Sequence, residues 1–278
     1  MIRHNSLRVL GLLALVAVLL VVPGTARSEM YVEGYIGGAF PATESISTSG
    51  VLHPLAFVNY TLNVPGRYNS HVIGGLKLGT WFVKEGFLGA NYPDWMKYFG
   101  FYLDFSYQRL NLSAQASRFN VGILGVPFAT GVADVSSEGA APTLAFMFAG
   151  RLGFFPDSEV PFGRLQPYIA VGPAIMWVSQ EPKVEFRTLS LLGGLTIPLA
   201  GGADLNTQTS ANVALAVEAG LRYMALKNVS LDLSFKYRYA EPSFTHTVPA
   251  IIGPFSHSVS YNTPLHIFSF QVGAAYHF

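Results

Sequence analysis

The sequence predicts an all-β protein: a closed antiparallel transmembrane β-barrel of eight strands in an up-and-down meander. Three observations point there. Eight segments alternate apolar with small or polar residues, and a period of two puts the two sets on opposite faces of a strand. The connections between these segments alternate long and short without exception. Half of the residues are apolar and only 12% are charged. Yet past the N-terminal region no unbroken apolar run reaches the roughly 18 residues of a membrane-crossing helix.

The eight segments are 30–40, 72–83, 97–109, 142–155, 164–178, 211–225, 229–241 and 264–278. The clearest alternation is "VSLDLSFKYRY", where Val229, Leu231, Leu233, Phe235, Tyr237 and Tyr239 oppose Ser230, Asp232, Ser234, Lys236 and Arg238. In "FGFYLDFSYQR", Phe99, Phe101, Leu103, Phe105 and Tyr107 oppose Gly100, Tyr102, Asp104, Ser106 and Gln108. The seventh and third segments thus repeat one pattern, and 211–225 follows it with Val213, Leu215, Val217, Leu221 and Tyr223 opposite Glu218 and Arg222. Gly and Pro dilute the signal in the first, second and fifth segments.

The connections run to about 31, 13, 32, 8, 32, 3 and 22 residues. Long loops at one end and short turns at the other are the plan of an outer-membrane barrel, and a soluble sandwich has no reason to sort its loops in this way. In lipid every backbone donor and acceptor needs a partner inside the protein, so a spanning sheet must close on itself. An even strand number leaves both chain ends on the periplasmic side.

Residues 1–28 read as a cleaved signal peptide: Arg3 and Arg8, an uncharged apolar run over 9–22, then Ala26 and Ser28 as alternative cleavage points. That run is short of the ~20 residues a membrane anchor needs. Residues 29–278 are then one barrel domain with four long extracellular loops. The leader carries three of the 17 basic residues and none of the 16 acidic ones, so the mature chain has a formal charge of −2. Cysteine is absent, which excludes disulfides and thiolate metal sites. The near-neutral charge, with no block of one sign, argues against a nucleic-acid partner.

The strands, the loop plan and the C-terminal "YHF" resemble the eight-stranded outer-membrane β-barrel proteins of Gram-negative bacteria, the OmpA-like and OmpW-like group. The resemblance covers residues 30–278 and concerns architecture and location more than function. It implies delivery by a Sec-type signal through the periplasm to the outer membrane, with lipid and lipopolysaccharide around the barrel. In that group a terminal Phe, preceded by aromatic or apolar residues at alternate positions, is read by the barrel-assembly machinery. The matching residues are Phe278, Tyr276, Phe270 and Phe268.

Eight strands enclose a lumen only just wide enough for side chains. The predicted inner face carries Glu33, Lys77, Asp104, Arg151, Glu218, Arg222, Asp232, Lys236 and Arg238. Buried charges need partners because desolvation costs several kcal/mol per ion, so this mixture predicts a paired network that plugs the middle. Tyr31, Trp95, Tyr98, Trp177, Tyr223, Tyr239 and Tyr276 are expected in the interfacial girdles. An opening in the wall would cost least at Gly34, Gly38, Gly150 or Pro173.

Neither HExxH nor a P-loop, GxSxG or dinucleotide fingerprint is present, and no cofactor is expected. The pairs His53 and His71, and His246 and His257, read as solvated loop histidines rather than metal ligands. Ser256, His257 and Ser258, with Glu241 across the loop, hold the makings of an outer-leaflet lipid-modifying enzyme. In extended chain, however, adjacent Ser and His point to opposite faces, so a non-enzymatic protein is expected.

Each long loop contains an apolar segment around a proline. These hold Pro54 and Phe57, Pro127 and Phe128, Ile197 and Pro198, and Pro254 and Phe255. Exposed together they would form a larger apolar patch than water-facing surfaces usually carry. The expectation is that they fold into an apolar cap on a barrel with an envelope-structural or surface-interaction role. The alternative is a narrow channel or binding site for small hydrophobic molecules.

Overall fold

The computed structural model describes residues 29–43, 45–51, 58–82, 92–248 and 257–278; the expected signal peptide lies outside them. Sixteen strands follow in chain order: β1 (Glu29–Thr43), β2 (Ile46–Val51), β3 (Val58–Val64), β4 (His71–Trp81), β5 (Phe99–Gln108), β6 (Leu112–Ile123), β7 (Val126–Ala140) and β8 (Thr143–Arg151). They continue with β9 (Leu165–Leu191), β10 (Thr196–Pro198), β11 (Gly202–Asp204), β12 (Gln208–Leu226), β13 (Val229–Ala240), β14 (Ser243–Val248), β15 (His257–Asn262) and β16 (Leu265–His277).

Eight of these close a ring: β1–β4–β5–β8–β9–β12–β13–β16, with β16 pairing back onto β1 from Tyr31↔His277 to Thr43↔Leu265. They are the eight segments expected from the alternation. Ring closure satisfies the edge strands that lipid would otherwise leave unpaired.

The walls are inside out relative to a soluble protein. Ile36, Leu103, Phe148, Val171, Val213, Leu233 and Val272 stand exposed on the outer face, while Lys77, Asp104, Glu218 and Arg238 are buried within. Tyr31 corrects one expectation. It shares the inner face with Glu33 and Tyr35, is only 2% exposed, and stacks on Trp81 at 6.5 Å. The period of two, which sends Glu33 inward, sends Tyr31 with it.

Beyond the ring the long connections continue as strands. β9 alone runs 27 residues, and its upper half pairs with β7, β10 and β11. β7 pairs β6, β6 pairs β3, and β3 pairs β2. The β14–β15 hairpin pairs within itself among the described residues. The ring ladder stops just before it, at Ala240↔Leu265. Pro242 and Pro264 follow on the two sides, and neither has an N–H to carry the ladder on.

The wall is closed at the positions where an opening would cost least. Gly34 and Gly38 are paired on both sides, and Gly150 pairs Phe99 and Ile169. Pro173 faces Leu215 of β12. The β8–β9 ladder does lapse between Ala145↔Ala174 and Phe148↔Val171. Even so, a Cβ on Gly172 would stand 1.8 Å from the Phe146 carbonyl oxygen, so the two backbones are in contact there.

Candidate functional site

The lumen is filled by a continuous ion-pair network. Lys77 Nζ lies 2.7 Å from both Glu33 and Glu218 and 3.9 Å from Asp232. Lys236 bridges Asp104 at 2.5 Å and Glu218 at 2.8 Å. Arg222 meets Glu33 at 2.5 Å and places Nε 3.3 Å from Asp232, the latter an ion pair without hydrogen-bond geometry. Arg238 lies 3.9 Å from Asp104 and donates to Ser106. Three tyrosines meet the carboxylates: Tyr35 donates to Asp104, Tyr102 donates to Glu218, and the Tyr168 hydroxyl, with its one proton, lies 2.7 Å from Glu218 and 2.8 Å from Asp232. Arg151 pairs with Glu29 at the short-turn end. Glu29 escaped the sequence reading because it adjoins the leader, and with it the lumen holds five acids and five bases. Charge-assisted hydrogen bonds throughout offset the desolvation that would otherwise expel these groups.

Above this network comes an apolar layer. Ile73, Met176, Val178, Leu265 and Ile267 face inward and are fully buried. Above that layer, at the long-loop end, is a cavity of about 210 Å³. Its wall takes residues from all four long connections: Ile46, Leu62 and Val64; Leu112, Phe119 and Val135; Pro182, Val184 and Phe186; His246 and Tyr261. None of the lining residues is charged. The upper half of β9 shows why. Gln180, Pro182, Val184 and Phe186 line the cavity, while Glu181, Lys183, Glu185 and Arg187 alternate on the other face.

The outer surface of the ring completes the picture. The outward positions of the eight ring strands, within the ring, carry no charged side chain. Phe268, Phe270, Tyr276 and Phe278 all stand on that surface, and Phe278 donates its backbone N–H to Met30 at 2.9 Å. A closed ring that is charged within and apolar without is stable only with lipid around it. The chain is an eight-stranded transmembrane β-barrel.

No protein-family model matches the chain, and no curated protein matches its sequence. Among solved structures it is similar to OprG from Pseudomonas aeruginosa, at 15% identity and a TM-score of 0.44 over 92% of this chain and 98% of that one. It is similar to Neisserial surface protein A, at 12% identity and a TM-score of 0.41 over 90% of this chain and 97% of the other. A major outer membrane protein from Thermus thermophilus gives 12% identity and a TM-score of 0.44 over 91% and 100%. The architecture rests on this barrel's own pairing and polarity.

The two proline-centred segments among the described residues do not build the cavity. Pro127 and Phe128 on β7, and Ile197 and Pro198 on β10, are exposed at the outer rim, and none of them lines the chamber. Pro54, Phe57, Pro254 and Phe255 lie outside the described residues, as do His53 and Ser256. Among the described residues no three His, Asp or Glu side chains converge to hold a metal ion. Glu241 is exposed and accepts a hydrogen bond from Tyr239.

Proposed function

We propose that this outer-membrane barrel binds a small hydrophobic molecule in the chamber formed by its extracellular loops. The role is one of binding rather than catalysis. The observation that carries the reading is the cavity itself: four connections distant in sequence each turn apolar side chains into one space, and their charges outward. An apolar pocket with a few polar groups is the usual form of a small-molecule site. The ion-paired lumen beneath it opposes passage straight down the barrel axis.

The test is to titrate toluene into the barrel in lipid nanodiscs, with empty nanodiscs as reference, by calorimetry. Saturable binding that disappears when Ala203→Trp fills the chamber supports the reading; an equal response from both proteins sinks it.

A second reading has its own support. Leu124, Val126, Phe128, Leu192, Leu195 and Ile197 stand exposed at two neighbouring hairpin tips, where Leu192 donates its backbone N–H to the Phe128 carbonyl. An apolar rim of this kind suits a surface partner. If it serves one, Phe128→Ser with Ile197→Ser should abolish that association and leave toluene binding intact.

The C-terminal residues Phe278, Tyr276, Phe270 and Phe268 are proposed as the signal for the barrel-assembly machinery. Phe278 is 57% exposed and makes few contacts, so Phe278→Glu should lower outer-membrane levels in cells far more than refolding yield in detergent. Equal loss in both measurements would remove the signal role.

A further inference from the structure

The barrel end of the chamber is built differently from its walls. By strand position Tyr68, Gln180, His246 and Tyr261 form that end, and hydrogen bonds join them. Gln180 Nε2 donates to the Tyr68 hydroxyl at 2.6 Å, and the Tyr261 hydroxyl donates to Gln180 Oε1 at 3.3 Å. Tyr261 also lies 3.3 Å from His246 Nε2, with the two rings stacked at 5.8 Å. Tyr68 is an acceptor in this chain, and among the described residues its own proton has no acceptor. A phenol carries one donor, so the barrel end leaves one donor for a guest, and in the wall the buried Thr48 hydroxyl is a second polar group without a partner among the described residues.

The chamber offers no charge to go with it. Burial pushes the Tyr68 hydroxyl up to about 12, which keeps its proton in place. Burial pushes the His246 imidazole below its ordinary value of 6.5, which keeps it neutral. The uppermost lumen cation on β13, Arg238, is separated from His246 along the chain by the inward Ala240, Pro242 and Phe244. A carboxylate in the chamber would give up its water with no cation to meet it, a cost that one phenol does not offset.

We propose that the chamber binds a neutral molecule with an apolar body and one hydrogen-bond-accepting oxygen, such as a ketone, ester or alcohol, and turns away the corresponding carboxylate. This rests on the chamber being a binding site and adds the class of ligand.

The experiment uses the mature barrel in lipid nanodiscs, titrated with octane, 2-octanone and octanoate at pH 8 against empty nanodiscs. The ketone should bind about tenfold more tightly than octane, the value of one net hydrogen bond, and octanoate should show no saturable binding. Tyr68→Phe should bring the ketone down to the affinity of octane while octane binding stays unchanged, which also reports that the variant is folded. Octanoate binding as tightly as the ketone, a wild-type barrel that does not distinguish ketone from octane, or a ketone preference that survives Tyr68→Phe would overturn the proposed ligand class and leave the binding role standing. If none of the three probes binds, the binding role itself falls. The wild-type comparison needs no variant and decides the question if Tyr68→Phe does not assemble.

Discussion

The two ends of β9 pass through opposite interiors. Its lower half turns Gln166 and Tyr168 into a chamber packed with ion pairs, while its upper half turns Gln180, Pro182, Val184 and Phe186 into an empty apolar one. The backbone is the same extended chain, and the alternation holds from Gln166 to Phe186. What differs is the content of the inward face. Long charged side chains from opposite walls reach one another and fill the lumen, and each needs its partner to stay there. Apolar side chains have no partner to reach for across the centre, and they leave it open. A single strand periodicity therefore produces a plug below and a pocket above.

The largest test of this contrast is Lys77→Met. It leaves Glu33 and Glu218 facing each other without the cation that lies 2.7 Å from both. Breaking a buried pair from one side costs about 3–5 kcal/mol, read from urea unfolding of the barrel in lipid vesicles. Next comes the outer face. Leu233→Arg should cost about 2–4 kcal/mol, because a mid-strand lipid-facing position cannot hydrate a charge. A cost near zero would mean that Leu233 does not face the hydrocarbon.

In the upper chamber Val184→Ala should cost only about 1 kcal/mol, since it removes little packing next to space that is already empty. If Val184→Ala matched Lys77→Met, the two interiors would not differ in the way described.

The smallest effect belongs to the short-turn end, outside both chambers. Asp157 accepts from the backbone N–H of Val160 at 2.7 Å and from Arg164, which together hold its carboxyl below the ordinary value of 3.8. A lowered folded-state value gives stability that is present above the unfolded value of about 3.8 and is lost as pH falls through the folded one. Asp157→Asn should lower stability slightly at pH 7 and converge with the unmodified barrel below the folded value, so that the acid limb flattens; an equally steep acid limb in the variant would assign the loss to other carboxylates.

The ring strands were legible because lipid on one face imposes strict alternation, and the nine lumen charges followed from the same rule. Tyr31 departs from the girdle because an aromatic ring near a strand end suits either face, and its even spacing from Glu33 sends it inward. The upper half of β9 falls within a long connection in the sequence, because Glu181, Lys183, Glu185 and Arg187 give "SQEPKVEFR" the charge density of a solvated loop. The opposite face of that stretch carried the missed signal, since Gln180, Pro182, Val184 and Phe186 continue the alternation. The chamber was beyond the reach of a linear reading. Ile46 and Tyr261 become neighbours of one space only when the ring is closed and the loops rise from it as strands.

The length of β9 has a consequence for where a guest is met. At about 3.3 Å per residue, a tilted strand crosses the hydrocarbon in roughly 9–11 residues, so more than half of this 27-residue strand lies clear of it. The cavity-lining stretch thus stands up to roughly 30 Å above the acyl chains, allowing for a tilt of about 45°, at the height of the lipopolysaccharide sugars. That carbohydrate layer is the barrier that slows greasy solutes on their way to the bilayer, and it sieves out bulky proteins. On the proposed binding role, a receptacle carried up into that layer meets its guest within the sugar zone, where free diffusion is hardest.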